Sequence, residues 1–195
     1  MRCNLLAFLL VIGLASPAAA GESPGFKGGL FDPPRPVPDF ALRGTDGSEL
    51  RLSRFRGKVV ALGFGYTFCP DVCPTTLADL AQARKRLGAA AKQFQVVFVT
   101  VDPERDTPDR LRAYLGAFDK TFLGATGTSE ELAQVRKAYG ISAVKKVFEG
   151  TSAAYLVHHS SFIYLIDPMG NLKVMLPFGR SVDDAVHDVK MLLKK

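Results

Sequence analysis

The sequence is poor in side chains that hold metals. It has three cysteines and three histidines in 195 residues. Cys3 lies in an apolar N-terminal stretch, which leaves Cys69 and Cys73 for the body of the protein. A structural zinc site usually takes four protein ligands, so this short supply of sulfur and imidazole disfavours one. No proline occurs between Pro108 and Pro168, so the chain lacks the cis-proline that ordinarily faces a redox-active Cys-x-x-Cys pair. A thiol peroxidase pattern is also missing: for Cys69 it would need proline where Leu62 stands and threonine where Tyr66 stands. Internal repeats, low-complexity blocks and nucleic-acid-binding motifs are absent.

Long hydrophobic runs are lacking as well. The apolar stretch from Leu5 to Leu14 is about ten residues, well short of the roughly 20 that span a bilayer. With Arg2 before it and Ala18 and Ala20 after it, the stretch reads as a secretory signal peptide, residues 1–20, cleaved after Ala20. An uncleaved anchor is the competing reading. A lipid-anchored form would need a cysteine just after the apolar core, where there is none. The net charge is +6 and falls by one when Arg2 leaves, so a basic surface is available to acidic partners or membrane headgroups. Residues 21–37 are rich in glycine and proline and are expected to be an extended linker. Residues 38–195 suit one domain.

Within that domain, Asp39–Leu42 and Leu50–Leu52 alternate around Asp46-Gly47 as an N-terminal hairpin would. Val59–Phe64 is a buried strand that ends at the cysteines, and a helix is expected over about 75–91. A second core strand covers 95–101. Thr107 with Pro108 opens the next helix, and Thr128 with Glu131 forms a capping box for a third that ends at Tyr139-Gly140. Residues 142–154 read as a loop or exposed hairpin. Two antiparallel strands, 155–166 and 171–175, flank the turn Asp167–Gly170, and Ser181 caps the last helix. The expected order is ββαβαα, then ββα. It fits a thioredoxin-like α/β class, a three-layer sandwich with a central mixed sheet.

Cys69 and Cys73 sit where the first core strand meets its helix. Thiols four residues apart share one helix face and remain close enough to bridge. A helix N-terminus favours thiolate, the form that binds metal and attacks disulfides. Two thiolates suit Cu(I), and an imidazole would complete a three-coordinate site that also tolerates Cu(II). His187 is expected to face solvent. Strand alternation sends His158 and His159 to opposite sides, so one of them reaches the thiols. Asp102 and Asp106 read as backbone caps with Arg105 as salt partner, and Met169 and Met175 are not counted as ligands.

Three segments in order, Gly65–Leu77 with Cys69-Pro-Asp-Val-Cys73-Pro74, Val101–Pro108, and Tyr155–Ser160 followed by Tyr164–Pro168, resemble the Sco (SenC-type) copper-chaperone family of cytochrome c oxidase assembly. The likeness covers about residues 38–193. It implies that Cys69, Cys73 and His159 bind one copper ion in an exported, periplasmic protein near the membrane. Its partners would be the CuA-bearing subunit of the oxidase and other periplasmic copper carriers. Phe68 stands where family members often have His, and His158 where they often have Asp, so the assignment of His159 rests on its place before Ser160. The alternative function is thiol-disulfide exchange on the partner's copper-site cysteines, with Cys69 attacking and Cys73 resolving.

Overall fold

The structure, a computed structural model, describes residues 25–147 and 155–194. The expected signal peptide and the link between residues 147 and 155 lie outside them. An eight-stranded mixed sheet runs in the order β1 (Gly29–Pro36), β10 (Asn171–Pro177), β9 (Phe162–Ile166), β4 (Val59–Gly65), β5 (Phe94–Thr100), β6 (Leu123–Thr126), β2 (Leu42–Gly44), β3 (Glu49–Leu50). Its centre is built from β4 (Val59–Gly65) and β5 (Phe94–Thr100), every residue of which is buried. They pair in parallel, as does β6 (Leu123–Thr126) with β5. Strands buried on both faces read as continuous apolar runs, which is why these two were legible in the sequence.

β6 was not expected. Its four residues, Leu-Gly-Ala-Thr, are too short and too weakly β-forming to register on their own. They are a strand because β5 on one side and β2 (Leu42–Gly44) on the other supply their ladder bonds. The N-terminal hairpin is present but slips from its expected bounds. β2 pairs with β3 (Glu49–Leu50) around Asp46-Gly47, with Gly47 at φ 83°, and residues 52–55 form a 3₁₀ turn instead of extending the second strand.

Three helices match the predicted caps. α2 (Pro108–Gly116) has Thr107 accepting from the Arg110 N–H. α3 (Ser129–Tyr139) has the Thr128–Glu131 box and a left-handed Gly140 at its end. α4 (Val182–Leu193) has Ser181 accepting from the Asp184 N–H. α1 (Val72–Leu87) begins three residues earlier than expected and gives way to a 3₁₀ segment at 88–93. α1 and α4 pack on each other. On the opposite face of the sheet, Tyr139 of α3 meets Phe64 of β4 at 5.8 Å and Tyr164 of β9 (Phe162–Ile166) at 6.2 Å. None of the described helices is long and apolar enough to cross a membrane.

The linker expectation over 21–37 is corrected by β1 (Gly29–Pro36), an edge strand antiparallel to β10 (Asn171–Pro177). Composition misled because Pro33 and Pro34 are tolerated here: they fall where the register shifts between Leu30 and Arg35, on an edge that asks for no further ladder bonds. Asp188 of α4 secures the strand's approach. It is fully buried and accepts from the Lys27 and Gly28 N–H groups at 2.8 and 2.9 Å. Asp188→Ala leaves both donors without that acceptor, so a loss of about 2 kcal/mol in unfolding free energy is expected, with faster proteolysis within residues 25–36. Urea titration and limited digestion check this, and an unchanged cleavage pattern would mean that β1 is held by its ladder alone.

The long strand expected over 155–166 is two strands. Among the described residues β8 (Tyr155–His159) pairs only with β7 (Ala143–Val147), in a two-stranded sheet apart from the main one, while β9 lies between β10 and β4. Ser160 and Ser161 make the break, where the Ser160 N–H donates to the Ser142 carbonyl and the Ser161 hydroxyl to that of His159.

Candidate metal centre

β4 delivers the chain to the site and α1 receives it. The two cysteines do not share a helix face as expected: Cys73 is the second residue of α1, whereas Cys69 lies in the loop before it. Asp71, in the N-cap position, makes no side-chain capping bond. The sulfur of Cys69 takes over part of that role, accepting from the Cys73 N–H at 3.4 Å. Gly65 makes room for the pair, since a Cβ there would come within 2.6 Å of the Cys73 sulfur.

The hairpin brings the third donor. Alternation along β8 leaves His158 exposed and turns His159 inward, where its Nε2 lies 3.3 Å from the Cys73 sulfur. Its Nδ1 faces the Ser160 carbonyl at 2.9 Å. A carbonyl only accepts, so Nδ1 carries the proton and Nε2 presents its lone pair towards the sulfurs, the usual arrangement of a metal-binding imidazole. One donor atom from each of Cys69, Cys73 and His159 falls within a cluster no wider than 4.8 Å. His187 is not simply solvent-facing: its Nδ1 lies 3.0 Å from Asp188, far along the chain from the site residues. Met169 is exposed in its turn.

The thiols are free and unequal. Cys69 is half-buried and its pKa is lowered to about 4, chiefly by a hydrogen bond from Cys73, with the Asp71 and Cys73 N–H groups adding to it against the cost of burial. Cys73 is buried, and its pKa is pushed up by that same bond to Cys69, by desolvation and by the Cys69 charge. One proton therefore serves two sulfurs and resides on Cys73. A metal ion bound there would replace that proton and gain two soft donors and one borderline donor at once.

Sequence reasoning singled out the three donors and passed over their support. Tyr66 is 2% exposed, accepts from the Val157 N–H at 3.1 Å and sets its ring edge-on to His159 with centroids 5.8 Å apart. The segment 101–108 was read as self-capping, and that holds in part. Arg105 does pair with Asp102, Nε to Oδ2 at 2.5 Å, but the Asp102 carboxylate also accepts from the Tyr155 hydroxyl at 2.6 Å. Asp106 reaches across to the cysteine loop, accepting from the Thr67 N–H and hydroxyl at 3.0 and 2.6 Å and from the Thr100 hydroxyl at 2.7 Å. A hydrophobic residue before a cysteine and an aromatic residue four before His159 carry no chemical signature of their own, so only contacts reveal them.

A mixed sheet with a dithiol at the N-terminus of its first long helix, faced by an imidazole from a separate hairpin, is a thioredoxin-like domain that carries a soft-metal donor set. More particularly, the chain belongs to the SCO1/SenC family, whose model matches residues 32–194. It is similar to the mitochondrial SCO2 homolog of Bos taurus, 37% identical over 156 residues, which are 78% of this chain and 58% of that protein. The chain thus spans less than two thirds of that relative's length. Among solved structures, apo Sco1 of Thermus thermophilus is 39% identical with a TM-score of 0.78, over 89% of this chain and all of that one. Copper-bound ScoI of Bradyrhizobium japonicum is 33% identical with a TM-score of 0.74, over 80% and 99%.

Proposed function

We propose that the protein binds one copper ion through Cys69, Cys73 and His159 and, after export to the periplasm, passes it to the CuA centre of cytochrome c oxidase during assembly. The observation that carries this reading is the 4.8 Å cluster of two sulfurs and an Nε2 whose tautomer leaves a lone pair free. Copper-bound relatives of the same fold support the choice of metal. Soft thiolates favour Cu(I), and the imidazole extends the site to Cu(II). Transfer proceeds by ligand exchange, and the half-exposed Cys69 is the donor an incoming thiol displaces first, since Cys73 is shielded.

The test is anaerobic competition for Cu(I) with a chromophoric chelator, on reduced protein lacking residues 1–20. One-to-one binding is expected. His159→Ala weakens it at least tenfold, because even indirect support of a ligand is worth roughly 10–100-fold. Cys69→Ala weakens it more, since a soft donor is lost. Weak binding in the wild type, or an unaffected His159→Ala variant, would sink the ligand assignment.

The inequality of the thiols favours a second reading, reduction of the partner's copper-site disulfide. The Cys69 thiolate attacks one partner sulfur and the other leaves as a thiolate. Cys73, giving up its proton, then closes a Cys69–Cys73 disulfide and frees the second partner thiol, so two electrons pass to the partner. His159, 3.3 Å from Cys73, is placed to take the resolving thiol's proton, so its loss affects exchange as well. Copper affinity, not exchange rate, is therefore the measurement that separates the two.

A further inference from the structure

The strand that carries His159 is not held by the main sheet. Among the described residues β8 has β7 as its only strand neighbour, and Ser160 and Ser161 separate it from β9. The far end of β8, at Tyr155, depends on side chains of the body for its place. Tyr155, Val157 and His159 share the inward face, and each inward position has an anchor. The Val157 N–H meets the Tyr66 hydroxyl, and His159 meets Cys73. At Tyr155 the anchor is Arg105.

Arg105 is placed to hold several segments at once. Its Nε bonds the fully buried Asp102 and its Nη1 donates to the Tyr155 carbonyl at 3.1 Å. Its guanidinium lies 3.8 Å from the ring centroid of Tyr155, 4.6 Å from that of Phe68 and 5.6 Å from that of Tyr66. The Tyr155 hydroxyl returns to Asp102 and closes the circuit. The loop after β5, the residue before Cys69, the residue just after β4 and the start of the His159 strand thus converge on one planar cation, which a lysine could not reproduce. The Lys145–Glu104 pair also crosses from hairpin to body, but both side chains are solvent-exposed and such a pair holds little.

We propose that Arg105 is a positioning residue for the metal centre: by clamping Tyr155 to Asp102 and to the rings flanking the cysteine loop, it sets where the His159 imidazole stands relative to the two sulfurs. Its copper readout rests on the copper-binding reading above, whereas the clamp itself does not.

The experiment is a double-mutant cycle on Cu(I) affinity with Arg105→Lys and His159→Ala. Arg105→Lys keeps a charge for Asp102 but loses the fork to Tyr155. It is expected to lower affinity about tenfold when His159 is present and less than about twofold when His159 is already alanine. Equal losses in both backgrounds, or none with His159 present, would overturn the proposal, because a residue acting on overall stability or on the thiols gives no such coupling. Tyr155→Phe, which removes the hydroxyl bond to Asp102, follows the same pattern with smaller amplitude and decides the matter if Arg105→Lys does not fold. Should His159→Ala leave copper affinity unchanged, the copper reading fails and a metal-free measurement judges the clamp. Hydrogen exchange at the Val157 amide is then expected to quicken at least tenfold in Arg105→Lys while β5 amides stay protected; unchanged Val157 exchange would overturn the proposal.

Discussion

Alkylation of Cys69 in the reduced, metal-free protein is expected to proceed at a nearly constant rate from pH 8 down to pH 5. An ordinary thiol, with a pKa near 8.5, loses about tenfold in thiolate for each pH unit below that value, or roughly three decades across the same window. Cys69 escapes that decline because its pKa is lowered to about 4, first by the hydrogen bond from Cys73 and then by the N–H groups at the start of the helix. A depressed pKa keeps the group ionised at every pH above it, so the rate falls only as the pH approaches 4. Cys73 should remain unmodified throughout, being buried and pushed the other way. Mass spectrometry after timed iodoacetamide pulses measures both sites. Cys73→Ala removes the largest cause of the shift and should restore much of the ordinary slope to Cys69. A tenfold fall per pH unit in the wild type would show that the sulfurs do not share a proton. The same asymmetry sets the proton count for metal uptake: Cys69 is already ionised at neutral pH, so binding releases about one proton, from Cys73, where two ordinary thiols would release two.

Asp106→Ala should cost about 3 kcal/mol of unfolding free energy, measured by urea titration, and should weaken Cu(I) binding in the same protein. Asp106 is fully buried and accepts three hydrogen bonds, two from Thr67 and one from Thr100. Removing the carboxylate strands the Thr67 N–H, which lies two residues before Cys69, and leaves two hydroxyls short of an acceptor. Each such orphan costs about 1–3 kcal/mol. Burial outweighs these bonds and raises the pKa of Asp106. The sign follows: ionising this carboxyl is harder in the folded protein, so its charge works against stability as the pH climbs through the carboxylate range. Asp106→Asn keeps one acceptor oxygen without that charge and should recover part of the loss. A change below about 1 kcal/mol in the alanine variant would mean that water replaces the carboxylate, and that Thr67 is not held from the α2 side.

The two core strands, the three side-chain caps and the Gly140 stop were legible because each is a local signal. Burial on both faces writes a continuous apolar run, and a cap needs only the right oxygen beside the right N–H. β6 was illegible for the converse reason: Leu123–Thr126 has no pattern of its own and is a strand only because its neighbours offer ladder bonds. β1 was misread because its prolines signal a linker until β10 and Asp188 are seen beside it. The division of 155–166 into β8 and β9 was hidden because both halves favour strand and only the pairing partners differ.

By itself the sequence determined the alternation of elements, the scarcity of possible ligands and the presence of two thiols at the entry to a helix. It also determined that the two adjacent histidines would point to opposite sides of their strand, so that no more than one of them could face the thiols. Tertiary structure alone decided that His159 reaches Cys73 across 86 positions of chain, that Cys69 rather than Cys73 carries the negative charge, and that Arg105 joins the hairpin to the cysteine loop. Periodicity and capping are set by neighbours a few residues apart. The distance between donor atoms and the sharing of a proton depend on burial and packing between segments far apart in sequence, and those exist only once the chain has folded.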